Sequence, residues 1–167
     1  MSMRNLQKIF EKCLADIQAL NITVGKITKI EWAVLKNALG ECNGQWAGNG
    51  WIYWIAISNE FLDEKIDEIN LRETVYHEIL HTVYRCSGHS KTWVRNALLI
   101  DKTYGCGVAT YKSKYDILNP NLPVLGEITC SYCGGKLSIR EKSIWEQIQN
   151  QKKALCAWCR KEIEVES

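Results

Sequence analysis

The chain holds three histidines in all, and they fall together between positions 77 and 89. Two of them belong to the segment His77-Glu78-Ile79-Leu80-His81. On a helix, side chains at i and i+4 stand on one face about one turn apart. Two imidazoles so placed can share one metal ion, and zinc suits them because it accepts imidazole nitrogen and tetrahedral geometry. Glu78 then stands beside the open coordination position, where a carboxylate can take a proton from water and pass it on. Such a site needs a third protein ligand. His89 fits, since the preceding Gly88 is a place for the helix to stop and the chain to turn back. Glu60 and Glu64, on the acidic stretch upstream, are the alternatives.

The helix carrying this motif has its own signals. Asn70 reads as its N-cap, Glu73 as the partner in a capping box, and Leu71, Val75, Ile79, Leu80 and Val83 as its apolar side. Upstream, Leu6, Ile9, Phe10, Cys13, Leu14, Ile17 and Leu20 recur at helical spacing and predict an amphipathic helix over residues 3–20. A strand is expected within Ile27–Leu35, and the aromatic and β-branched run from Trp51 to Ser58 predicts another. Residues 40–50 contain four glycines and two asparagines and read as turns. A further helix is expected over about 90–102, burying Trp93, Val94, Ala97, Leu98 and Ile100.

Both prolines lie in Asn119-Pro120-Asn121-Leu122-Pro123. They place a linker over 119–126, between a domain at 1–118 and a module at 127–167. The module is too short to build much of a core and needs a staple. Cys130 and Cys133 form one C-x-x-C pair and Cys156 and Cys159 a second, with 22 residues between the pairs. That spacing is close to a four-cysteine zinc ribbon, a closed site that contributes folding energy. Cys13, Cys42, Cys86 and Cys106 are scattered and read as small buried apolar residues. Tyr132 and Trp158 occupy the knuckles. Exposed there, they could stack on unpaired bases while Lys136, Arg140, Lys142, Lys152, Lys153, Arg160 and Lys161 meet phosphates; recruitment of a protein is the alternative.

Composition excludes more than it assigns. The chain has 167 residues, 46% hydrophobic and 24% charged, which is globular and not disordered. No apolar run reaches the ~18–20 residues that span a bilayer, and the N-terminal residues lack the apolar stretch of an export signal. No membrane partner is expected, and the eight cysteines read as thiols of a reducing, cytoplasmic compartment. Net charge is only +2, but six bases against one acid between Arg85 and Lys114 make a basic strip that could face a phosphate backbone.

Several of these segments together resemble the SprT-like family, which includes the Spartan proteases. The resemblance spans roughly residues 25–160. It rests on Thr74-Val75-Tyr76-His77-Glu78-Ile79-Leu80-His81, on Ser87-Gly88-His89 with the aromatic at Trp93, and on Asn37-Ala38-Leu39-Gly40-Glu41-Cys42. The strand ending Ile55-Ala56-Ile57-Ser58 and the C-terminal Cys pairs complete it. The seven residues between His81 and His89 suit this family and not the metzincins, whose third histidine follows sooner. The resemblance implies an α+β, compact zincin-like domain with a small mixed or antiparallel sheet, followed by the zinc ribbon. It implies catalytic zinc at His77, His81 and His89, structural zinc at the four cysteines, and Glu78 as general base. The implied activity is endopeptidase cleavage of protein or peptide, in known members often of proteins on DNA. Tyr84, Tyr104 and Tyr111 are candidates for stabilising the oxyanion, and the strand at 51–58 could offer an edge to an extended peptide. A non-catalytic zinc-containing module that binds nucleic acid or protein, and a small-substrate amidase, are the competing readings.

Overall fold

Helix α2 (Glu68–Leu80) is buried around most of its circumference: Leu71, Val75, Tyr76, Ile79 and Leu80 are all fully buried. A helix of that kind must be enclosed rather than laid on a surface. The computed structural model, which describes residues 4–165, encloses it with an α+β arrangement of five α-helices and three small sheets. Helix α1 (Leu6–Ala19) covers one flank with Phe10, Cys13 and Ile17, and α3 (Lys91–Tyr104) covers another with Trp93, Val94, Ala97 and Ile100. Each large apolar side chain so buried stabilises the fold by roughly 1.5–3 kcal/mol. Helix α1 starts at Leu6, capped by Asn5, and α3 is capped by Ser90. Position 3, where the sequence pattern began α1, lies outside the described residues.

The largest sheet covers α2 from a third side, through the fully buried Ile55 and Ile57 of β3. Its order is β1 (Lys26–Ala33), β3 (Trp51–Ser58), β2 (Gly40–Trp46), with β1 parallel and β2 antiparallel to β3. This corrects two expectations. The glycine-rich stretch is largely a strand, paired in continuous register from Gly40↔Ile57 to Trp46↔Trp51, and only Ala47–Gly50 turns. Its composition disfavours a strand in isolation; the strongly β-forming β3 supplies the template. In consequence β3 is the central strand, and the free edge beside α2 belongs to β2.

The ends of α2 also differ from expectation. Asp67, not Asn70, is the N-cap and accepts from the Ile69 amide at 3.0 Å. Asn70 and Glu73 are buried inside the helix, where both Glu73 carboxylate oxygens accept from Lys112 Nζ at 2.8 Å. The helix stops at Leu80 with His81 as C-cap, well before Gly88.

Beyond α3, β4 (Thr110–Tyr111) and α4 (Lys114–Leu118) lead into the loop that holds both prolines. That loop is tied down by the Arg140 guanidinium, which donates to the carbonyls of Pro120 and Leu122. Strand β6 (Lys136–Ile139) pairs antiparallel with β5 (Gly126–Thr129) and parallel with β4. Helix α5 (Lys142–Gln151) and the hairpin β7 (Lys153–Leu155)–β8 (Glu162–Glu164) follow. The pairing of β6 with β4 carries the C-terminal segment onto the rest of the chain, and buried Ile128, Leu137 and Trp158 extend the same apolar cluster. Among the described residues, no helix is long and apolar enough to cross a membrane.

One polar contact crosses this core. Tyr76 donates its hydroxyl to Asp16 Oδ2 of α1 at 2.6 Å, and Lys12 pairs with the other carboxylate oxygen. Burial works to raise the Asp16 pKa, but the bonds from Lys12 and Tyr76 prevail and hold it below its ordinary value. Removing the hydroxyl in Tyr76→Phe leaves a buried carboxylate short of a donor and is expected to cost about 1–3 kcal/mol in chemical denaturation. The deficit should be complete above about pH 5 and shrink as acid protonates Asp16, because a depressed carboxyl stabilises only while ionised.

Candidate metal centres

The last turn of α2 and the loop after it build the first cluster. His77 and His81 follow the helical spacing, and His81 as C-cap already faces out of the helix end. The loop then reverses through Arg85, in the left-handed region at φ 63°, and ends at Ser90, whose hydroxyl donates to the Arg85 carbonyl at 3.0 Å. This brings His89 back over the helix end. His77 Nε2 lies 3.1 Å from His81 Nε2 and 3.0 Å from His89 Nε2, and each pair of rings is 4.9 Å apart between centroids. Three convergent nitrogens, on rings whose centroids are equally spaced, are poorly explained as mutual hydrogen bonds. They fit a shared ion, since tetrahedral ligands at Zn–N ~2.0–2.1 Å stand about 3.3 Å apart.

The remaining chemistry agrees. His81 Nδ1 lies 2.9 Å from the Cys86 carbonyl, so as donor it fixes the tautomer that leaves Nε2 free for a metal. Burial, and then the neighbouring histidines, pushes the His77 pKa well down; burial likewise lowers His81, and takes His89 to about 4. Neutral imidazoles with lone pairs aimed at one point are metal ligands in the required state. Glu60, one upstream alternative, instead pairs with Lys114 at 3.0 Å, and neither it nor Glu64 joins the cluster.

Glu78 lines the same two cavities as His77 and His89. It is buried, and its carboxyl is raised to about 8, first by burial and then by the charge of Glu41, with an opposing bond from the Cys42 amide. A dication beside it would favour the ionised form again. Gly40 makes room for it: a Cβ there would fall 2.8 Å from Glu78 Cγ and 2.8 Å from Oε1. The sequence pattern contained Gly40 but offered no reason for it; the reason is this close approach of β2 to α2.

Two cavities meet at Glu78. One, of about 260 Å³, runs from Gly40 and His77 to Tyr111, Lys112 and Trp158. The other, of about 570 Å³, runs from the three histidines along β2 to Trp51 and Tyr53. The three candidate tyrosines are now distinguishable. Tyr84 is 81% exposed, Tyr104 donates to the Asp16 carbonyl at 3.1 Å, and only Tyr111 borders a cavity that also contains His77 and Glu78.

The four cysteines form the second cluster. Cys130 Sγ lies 3.6 Å from Cys159 Sγ, and Cys133 Sγ lies 3.7 Å from Cys156 Sγ. Tetrahedral thiolates at Zn–S ~2.3 Å stand about 3.8 Å apart, so the set fits zinc closely. Three of the thiols titrate together: burial works to raise them, and does raise Cys133 and Cys156, while the amides of Tyr132 and Cys133 draw Cys130 down and make it the first of the three to ionise. Gly134 supplies the positive φ, 78°, that turns the first knuckle.

The knuckle aromatics part company. Tyr132 is 52% exposed, with Lys161 Nζ 4.5 Å from its ring centroid. Trp158 is only 6% exposed, contrary to the expectation of an exposed stacking surface. Its indole donates to the Ala109 carbonyl at 3.0 Å and packs 4.7 Å from the His89 ring and 5.0 Å from Trp93, the buried floor of the triad. Sequence reasoning missed this contact, because no local pattern tells a knuckle residue which way the module is docked. The basic side chains are also partly committed: Lys112 and Lys114 in the strip pair with Glu73 and Glu60, and Lys142 and Lys153 pair with Glu146 and Glu162. The remaining cysteines, Cys13, Cys42, Cys86 and Cys106, join neither cluster, and all but Cys42 are buried.

Compared with known proteins, the chain matches no family model, no curated protein and no solved structure. Both clusters could hold metal ions on their own geometry. Elemental analysis should find two zinc ions per chain, one in His89→Ala and one in Cys159→Ser, the second variant also losing thermal stability because the cysteine site contributes folding energy. Two ions retained in His89→Ala would remove that residue from the ligand set.

Proposed function

We propose that the chain is a zinc-dependent endopeptidase of the SprT-like type, with a zincin-like catalytic region and a C-terminal zinc ribbon. The observation that carries this reading is a buried carboxylate, Glu78, set beside three convergent neutral imidazoles where two open cavities meet. A purely structural zinc site is closed by four protein ligands and has no use for such a base.

His77, His81 and His89 would hold zinc, which when bound would supply Lewis acidity towards a carbonyl oxygen and water. Glu78 accepts the proton of the attacking water and delivers it to the amine nitrogen as the C–N bond breaks. Tyr111, on the wall of the smaller cavity, is the residue best placed to donate its hydroxyl to the developing oxyanion. An extended peptide would add to the free edge of β2, which runs past Glu78 and binds backbone by hydrogen bonds irrespective of sequence. Cys130, Cys133, Cys156 and Cys159 hold the structural zinc, and four ligating thiolates suit a reducing, cytoplasmic setting. The resemblance directs the activity to proteins on DNA. Tyr132 with Lys161 is the exposed aromatic and cation that supports a nucleic-acid contact.

Cleavage of an unfolded protein such as casein, followed by gel and mass spectrometry, tests the reading. Glu78→Gln is expected to lower the rate by about 10²–10⁴-fold while retaining two zinc ions. A Glu78→Gln protein as active as wild type would leave a non-catalytic binding module as the better reading. Gly40→Ala should also retain both ions and lose most activity, because its methyl displaces the Glu78 carboxylate. Tyr111→Phe should lower kcat by about 10²-fold with KM little changed, the signature of a contact made in the transition state.

A further inference from the structure

Trp46 and Trp51 are 57% and 54% exposed, on a chain whose other tryptophans are more deeply placed. They are cross-strand partners at the turn end of the β2–β3 hairpin, edge to face with 6.1 Å between centroids. Tyr53, two residues along β3, lies on the same face and stacks on Trp51 at 6.4 Å with 25° between planes. That face is continuous with Ile55 and Ile57, which are covered by α2; the aromatic residues extend it past the helix end, where Tyr53 is half-buried and Trp51 is exposed. Contiguous exposed aromatics of this kind mark an interaction site.

The platform is built and not incidental. Tyr53 is flanked by two glycines, Gly44 on β2 and Gly25 immediately before β1. A Cβ at Gly25 would fall 2.5 Å from its ring, and one at Gly44, its cross-strand partner, 3.0 Å from it and 3.4 Å from Trp51. Two bare positions let the ring lie flat and leave open space above it. That space is the larger cavity, and its inner end is the histidine cluster and Glu78.

We propose that Trp51 and Tyr53 form a substrate subsite for one large apolar side chain, aromatic or branched aliphatic, of a peptide lying along β2. This rests on the peptidase reading and adds a specificity to it. Continuity with the cavity that holds the histidine cluster argues for a peptide occupant: a chain paired with the free edge of β2 runs beside the platform, and period-2 alternation turns a side chain across the bare Gly44 towards Tyr53 and Trp51. Charge argues against nucleic acid. The cavity is lined by Glu41 and by no lysine or arginine, so a phosphate backbone lying along it would meet no basic side chain. An apolar side chain meets aromatic faces and desolvates no charge.

The test uses full-length, zinc-loaded Glu78→Gln protein and a pair of end-blocked, fluorescently labelled heptapeptides that differ only in Phe against Ala at one position, scanned along the peptide. At one position the Phe peptide should bind at least tenfold more tightly by anisotropy. That preference should fall to within twofold when Trp51→Ala is added and, independently, when Gly44→Val fills the floor while leaving both aromatics in place. Equal binding of the two peptides at every position, or a preference that survives both variants, overturns the proposal. So does quenching of Trp51 fluorescence by an oligo-dT strand more strongly than by the Phe peptide. The two readings fail separately. A Phe preference in Glu78→Gln, with wild type unable to cleave either peptide or casein, keeps the subsite and ends the peptidase reading. Cleavage by wild type with no bias towards large apolar residues does the reverse.

Discussion

Burying the last turn of α2 governs the rest of this structure. That turn carries His77, Glu78 and His81 together with Ile79 and Leu80, so the apolar and ionisable side chains of one helical turn are enclosed in the same place. Uncompensated burial of a carboxylate or imidazole is costly and shifts each towards its neutral form. The surroundings answer each group separately. Gly40 leaves room for Glu78, the Cys42 amide binds it, the Cys86 carbonyl orients His81, and Trp93 closes the floor. What remains unanswered is three imidazole nitrogens aimed at one point, and a cation is the group that satisfies them.

The same constraint explains why the C-terminal segment is docked where it is. Trp158 stands between two cysteines of the second cluster, and its ring lies against His89 and Trp93 of the first. Gly135 permits this, since a Cβ there would fall 1.9 Å from the Trp158 ring. The four-cysteine cluster thereby fixes one wall of the smaller cavity: the knuckle that holds the sulfurs also holds the indole. A metal held by the four cysteines would stiffen that wall, and Tyr111 packs edge-on to Trp158 at 5.7 Å.

The two cavities that meet at Glu78 differ in character. The smaller one is bordered by Lys112 and Lys114, whose charges are already engaged by Glu73 and Glu60. The larger one is bordered by the glycine-rich β2 and by aromatic rings. Glycine is usually a weakness in a strand, for lack of side-chain packing. In β2 the bare positions Gly40 and Gly44 alternate onto one face, and each accommodates a side chain of a neighbouring element, Glu78 at one and Tyr53 at the other.

The pairing of the candidate metal donors was legible in the sequence where their spacing is local: i and i+4 on a helix for His77 and His81, two residues between cysteines in each knuckle. Amphipathic α1, the β-rich run at 51–58 and α3 were legible for the same reason, since a period of 3.6 or 2 is written in consecutive residues. The tertiary structure alone decided what depends on distant partners. Residues 40–46 became a strand because β3 offered a template, and that moved the free sheet edge from β3 to β2. Asn70 and Glu73 have the look of a cap, yet Lys112, 39 residues on from Glu73, draws that carboxylate into the core. Trp158 has the look of an exposed knuckle residue and is buried against His89. In each case the deciding energy is a long-range contact, and a long-range contact leaves no periodic trace in the chain.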